Sequence, residues 1–277
     1  MLAAILALGA SLTWGSSNFL AGLESRRRSV WTVTAVSQVA AALSAGLALL
    51  IAAQPSPDPW HSLGPIIGGV AGAIGIVAFY RALAIGTMSV VSPIIALEAI
   101  VPVAVGLFLG ERPGMPVYLG MVLAIAGVAL VSWSKDRRDD RANRTAIVLA
   151  IITAACFGIM LVGLNIGGRE STYWSVFDAR IASACVILAY FAASRRRFDL
   201  AVRDVPVLAG VGLLLTGANL LFTVASTIGY LSIVSVLGSL APVVTTGCAQ
   251  VVLGERLSAR QWVGFATVFA GVVLLTV

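Results

Sequence analysis

Glu98 stands about ten residues into an apolar run that begins near residue 88, and Pro102 follows one turn later. At 1.5 Å of rise per helical residue that depth is about 15 Å, close to the middle of a lipid bilayer. A carboxyl there costs about 2.5–3.5 kcal/mol on insertion scales, and such a group usually faces a cavity or a partner. Pro102 has no N–H to give to the carbonyl of residue 98, and its ring pushes that carbonyl aside. A freed backbone acceptor beside a carboxyl is a site for a proton or an amine. The plainer alternative is a neutral, hydrogen-bonded packing glutamate. Pro242 frees the carbonyl of Gly238 in the same way, beside Ser239.

Asp178 and Arg180 form a second focus. They lie about 9–12 Å into another apolar run. Two residues apart on a helix, they point to nearly opposite faces and cannot pair with each other. Arg180 is at a depth where it can meet Glu98 across a bundle, either as a structural ion pair or as a clamp for a substrate carboxylate. Trp14, Asn18, Gln38, Tyr80, Asn165 and Asn219 are polar or aromatic residues inside apolar runs. Asn and Gln in such places line sites or join helices by hydrogen bonds. Trp14 offers an aromatic wall to a pocket or fills space.

Other chemistries find little support. His61 is the only histidine, so zinc ligation and Ser-His hydrolysis both lack their parts. Cys156, Cys185 and Cys248 fall in three separate apolar runs without metal-ligand spacing and read as small buried hydrophobes. No metal and no cofactor is expected, nor a catalytic residue. The net charge of +6 suggests a nucleic-acid surface only until the basic residues are placed, because nearly all lie at the ends of apolar runs. Lipid and orientation explain them there, and no nucleic-acid partner is expected.

The elements that must carry these residues are membrane helices. Hydrophobic residues make up 59% of the chain and charged residues 11%, with a mean hydropathy of +1.00, too little charge to cover a water-soluble domain. The apolar stretches run about 20 residues and lack the alternation of barrel strands. Ten spans are predicted, at about 2–22, 30–53, 64–84, 88–109, 116–133, 145–166, 172–193, 205–226, 230–252 and 260–277. Gly64, Gly68 and Gly72 recur on every fourth residue of the third, where they bring a neighbouring backbone close. Of the 18 Lys and Arg residues, fifteen fall on the face holding loops 23–29, 85–87, 134–144, 194–204 and 253–259. Arg112 and Arg169 are on the other face. By the positive-inside rule the Arg-rich face is cytoplasmic, and both termini are outside. Met1 is followed at once by apolar residues, so the first span does not read as a cleaved signal.

The chain also repeats itself. Ile85-Gly86, Ser89 and Val91-Ser92 recur as Ile228-Gly229, Ser232 and Val234-Ser235 at an offset of 143. Trp14-Gly15 is answered by Phe157-Gly158, and Trp31 by Trp174, at the same offset. Leu109-Gly110-Glu111-Arg112 recurs as Leu253-Gly254-Glu255-Arg256, and Gly120 and Gly127 as Gly264 and Gly271, at 144. An offset of half the chain is an internal duplication. The expected organisation is a first five-helix half at 1–133, a cytoplasmic linker at 134–144 and a second half at 145–277. Five spans per half is an odd number, so the second half enters the membrane from the opposite side, as in inverted-repeat carriers.

Two five-helix halves, Trp14-Gly15 in the first span, and a fourth and ninth span each closing on Leu-Gly-Glu-Arg resemble the EamA-type family of drug/metabolite transporters over essentially the whole chain. The resemblance implies an all-α membrane protein of ten transmembrane helices and a secondary carrier of small metabolites, mainly an exporter. The family often carries an Arg in the second and seventh spans. Arg180 fits that place, and Ser37-Gln38 stand at its counterpart. The implied function is export of a small metabolite, such as an amino acid or related amine, across the cytoplasmic membrane by alternating access. Efflux of cationic drugs, a channel and a non-transporting scaffold are the alternatives. Substrate contacts are expected from Glu98, Arg180, Trp14, Asn18, Tyr80 and Asn219. Pro102, Pro242, Gly110, Glu111, Gly254 and Glu255 are expected to shape the helices and turns. Partners are a small-molecule substrate, protons and the lipid bilayer, with the chain a monomer or homodimer.

Overall fold

The computed structural model describes residues 1–85, 91, 94–131, 140–194, 199–253 and 258–276. Its helices are α1 Leu2–Ser25, α2 Val30–Ala52, α3 Leu63–Ile85, α4 Ile100–Phe108, α5 Met115–Val131, α6 Asp140–Gly168, α7 Thr172–Ala193, α8 Val205–Ile228, α9 Leu231–Gly238, α10 Ala241–Leu253 and α11 Ala259–Thr276. A 3-10 turn, Ala96–Ala99, leads into α4. There is no strand among the described residues. Among the described residues, seven helical segments are long and apolar enough to cross a membrane: α2, α3, α6, α7, α8, the α9–α10 segment and α11. Leu97–Phe108 and α5 are shorter apolar helices. α1 has the length, at 24 residues, but Thr13, Ser16, Ser17 and Asn18 dilute its apolar character. This is a multi-pass, all-helical membrane protein. α6 begins at Asp140, five residues before its apolar run, because Arg and Ala continue a helix readily beyond the lipid boundary. The rest of the 134–144 linker lies outside the described residues.

Helices pack by close backbone approach. α5 lies along α11, where a Cβ on Gly127 would come 2.9 Å from the Gly264 carbonyl, and one on Gly271 would come 2.9 Å from the Gly120 carbonyl. These four glycines are the pairs that the 144-residue offset relates. α3 lies along α6, with Gly68 against the backbone of Met160 and Gly163. α8 packs on both α1 and α2, and α7 packs on both α2 and α3. Lipid tails are as apolar as the side chains, so dispersion between closely fitted small residues supplies the attraction that water supplies in a soluble core.

Polar side-chain contacts tie the loops at both faces. On the Arg-rich face Arg28 meets Asp199 and Asp204, each at 2.7 Å. Burial lowers the affinity of the Arg28 guanidinium for its proton, but the two carboxylates raise it further, and it stays charged. On the other face His61 lies 3.4 Å from Glu170, and Ser171 donates to Gln54 at 2.6 Å.

Candidate functional site

The fourth and ninth spans are both interrupted at equivalent places. The ninth breaks at Ser239 and Leu240, between α9 and α10, and the fourth is a 3-10 turn at Ala96–Ala99. Pro242 and Pro102 each sit in the first turn of the helix that resumes, where a missing N–H is tolerated. Two glycines fit against these breaks. A Cβ on Gly15 of α1 would come 2.7 Å from the Ala241 carbonyl, and one on Gly158 of α6 would come 2.6 Å from the Glu98 carbonyl. Gly158 is 143 residues after Gly15, and Ala241 is 143 after Glu98. Each contact joins the first half of the chain to the second. Thr245 stands where Pro102 stands in the first half. Its hydroxyl donates to the carbonyls of Gly15 and Ala241, both at 3.0 Å.

Glu98 is partly buried on its 3-10 turn. The turn packs on α6 and also touches α9. The far end of α9 leads to a cluster from three helices. The indole N–H of Trp14 donates to the side-chain oxygen of Asn219 at 3.1 Å. Trp14 and Phe222 face each other with ring centroids 5.6 Å apart. A Cβ on Gly238 would touch both rings at 3.3 Å. Asn219 and Phe222 are one turn apart on α8, so they share a face. Phe222 was not singled out in the sequence, although its spacing from Asn219 is the signal that would have found it.

Arg180 belongs to the same region. Only 5% of it is exposed, and its Nη2 donates to the Leu215 carbonyl of α8 at 2.5 Å, one turn before Asn219. Its Nε is buried without a partner. The ion pair with Glu98 that the sequence admitted does not form; none joins the two among the described residues. A backbone carbonyl on the neighbouring helix is nearer to hand. Two buried polar atoms of α2, which packs on both α7 and α8, also lack hydrogen-bond partners: Ser37 Oγ and Gln38 Oε1. Ser37 is the 143-residue counterpart of Arg180.

The remaining sequence candidates lie elsewhere. Tyr80 is in an aromatic group with Trp31, 6.0 Å away, and Phe79, 5.3 Å away, near the Arg-rich end of α3. Asn18 is exposed one turn past Trp14. Asn165 donates to the Ser226 carbonyl at 2.6 Å, joining α6 to α8. Asp178 has one buried carboxylate oxygen without a partner. Glu111 accepts from the backbone N–H of Leu231 and, at 3.0 Å, of Ser232. Gly110 before it has a φ of 96°, a left-handed turn that suits glycine. Gly254 and Glu255 are outside the described residues. Among the described residues no group of His, Cys, Asp and Glu could hold a metal.

A family model described as the EamA-like transporter family matches residues 1–133 and 144–277. No curated protein matches the sequence. A solved structure described only as "Crystal structure of protein" is similar at a TM-score of 0.84 with 17% identity, covering 99% of this chain and 96% of that one. At that identity the likeness is one of fold.

Proposed function

The chain belongs to the EamA-like transporter family of membrane transporters, and on that premise we propose that it is a secondary carrier exporting a small amine-bearing carboxylate, such as an amino acid, by alternating access. The chain is read as ten spans in two inverted five-helix halves, with the Arg-rich face and linker 134–144 in the cytoplasm and both termini outside the cell membrane. The observation that carries this reading is the exchange of contacts between halves. Gly15 fits the broken helix that follows Gly238, and Gly158 fits the broken helix at Glu98. Breaks at mid-membrane, held by the other half, are where rocking of one half on the other exposes a site first to one side and then to the other.

The substrate class follows from two groups. Arg180 is buried with an unused N–H, which suits a carboxylate. Glu98 is an acid in a carrier interior, which suits an ammonium group or a coupling proton. Trp14 and Phe222 give the apolar wall. A purely cationic drug would use Glu98 but leave Arg180 as an unmatched like charge, so the zwitterion is the favoured cargo. The test is transport in vesicles of purified protein, with amino acids, their decarboxylated amines and organic cations as substrates, with and without an imposed pH gradient. Movement of amino acids but not of the cations supports the reading. Movement of none of them removes it.

A further inference from the structure

Glu111 reaches from one half of the chain to the other. It follows α4 through the Gly110 turn, and its carboxylate takes the N–H groups of Leu231 and Ser232, the first two residues of α9. α9 has no cap of its own: Tyr230 precedes it and contributes no side-chain hydrogen bond. The N–H groups at a helix start need acceptors, and a negative charge is favoured there by the helix dipole. Gly106, one turn earlier on α4, makes room. A Cβ there would lie 2.7 Å from the Glu111 carboxyl carbon. Gly106, Gly110 and Glu111 therefore form one device, built to carry a carboxylate to the second half.

The packing of the ninth span shows what the device holds. All of α9 except Ile233 is buried. In α10, the continuation toward the Arg-rich face, only Ala241 is buried. Thr245, Thr246 and Gln250 of α10 are half-buried, and a Cβ on Gly247 would meet nothing within 4 Å. The hydroxyls of Thr245 and Thr246 turn back to the carbonyls of Ala241 and Pro242, and Thr245 also reaches Gly15 of α1. The span is thus fully enclosed at the Arg-poor end, where α9 packs on α1, α4 and α8, and less so toward the Arg-rich end, where half-buried α10 packs on α1 and α5.

We propose that Glu111 is a gate latch: it holds α9 against α4 and keeps the Arg-poor end shut, and its release is the step that opens that end. The inference rests on the alternating-access reading above. In the closed state the two N–H groups are charge-assisted donors to Glu111. In the open state they turn to water.

The test uses the full chain in lipid vesicles, with Cys156, Cys185 and Cys248 replaced and spin labels at Leu109 and Tyr230. Both positions are exposed and flank the latch. Pulsed EPR reads the distance between them. A short distance should dominate with Glu111 intact. Glu111→Gln removes the charge, and Gly106→Ala displaces the carboxylate. Each should add a longer distance and raise the open fraction about tenfold, the effect of losing charge-assisted hydrogen bonds. An unchanged distribution in both variants overturns the proposal. If both variants unfold, Glu111 is an obligatory cap and not a latch, and the proposal falls as well. The distances decide the matter whether or not a substrate moves. A wild-type protein that transports nothing would remove the carrier reading and leave this result intact.

Discussion

Arg180 donates to the backbone carbonyl of Leu215, at 2.5 Å, and not to Glu98. Arg180 and Glu98 are therefore not paired with each other, and on the proposed function each meets a different part of the substrate. A direct pair would have neutralised both and left a zwitterion nothing to replace. We expect Arg180→Ala to raise KM for amino acid substrates by about tenfold to a hundredfold, the range for losing a charged hydrogen-bond partner. Arg180→Lys should recover little, because an ammonium lacks the planar fork. KM values for amino acids and their decarboxylated amines check this. An equal effect on both kinds of substrate would remove the carboxylate contact.

Glu98→Gln keeps the shape and removes the charge change. The variant should fold and insert, lose gradient-driven accumulation by at least about tenfold, and keep slow exchange. Uptake with and without a pH gradient, compared with the unaltered protein, is the measurement. Equal accumulation at every pH would make Glu98 a packing residue.

Trp14→Phe tests the wall of the site. It retains an aromatic ring beside Phe222 but leaves the Asn219 oxygen without its indole donor, and Asn219 is only 1% exposed. A buried unpaired acceptor costs about 1–3 kcal/mol. Thermal unfolding should show that loss. Trp14→Phe with Asn219→Leu should be milder than the sum of the single changes, since the second change removes the orphan.

Gly158→Ala places a methyl group 2.6 Å from both the Glu98 carbonyl oxygen and the Val101 Cβ. Overpacking of this kind costs about 1–3 kcal/mol. Because the strain falls on the turn that carries Glu98, transport should fall more steeply than stability. Gly22→Ala, where a Cβ would meet nothing within 4 Å, is the matched control and should be neutral.

The orientation is checked by chemistry at the surface. With the three native cysteines replaced, a single cysteine within 134–144 should resist an impermeant thiol reagent on intact cells, and one at Ser56 should react. The reverse pattern would invert the assignment of faces.

Much of this was legible in the sequence because lipid leaves few choices. Apolar runs of about 20 residues must be helices, and Gly64, Gly68 and Gly72 marked a face of close approach, which is the contact of α3 with Met160 and Gly163 of α6. Pro102 and Pro242 marked the interrupted spans. What the sequence did not convey was pairing between distant helices. Trp14 and Asn219 were separate candidates that share a hydrogen bond, and Tyr80 belongs to an aromatic group with Trp31 rather than with them. Glu111 was read as a shaping residue, and its role at the start of α9 depends on a fold that brings residues 120 apart in sequence together. A side chain's neighbours across a bundle are set by helix rotation, which a uniformly apolar span leaves unmarked.

The exchanged contacts of Gly15 and Gly158 carry a consequence for the chain as a covalent object. Neither half is complete alone, since the glycine of each fits the broken helix of the other. What binds the halves is a surface rather than a peptide bond. A gene cut between residues 133 and 145 should therefore encode two fragments that find one another in the membrane and restore the intact fold. Each fragment expressed singly should be degraded, because its broken helix would have no partner to cover it. Changes at the two interfaces should then be tolerated only in complementary pairs, one in each fragment.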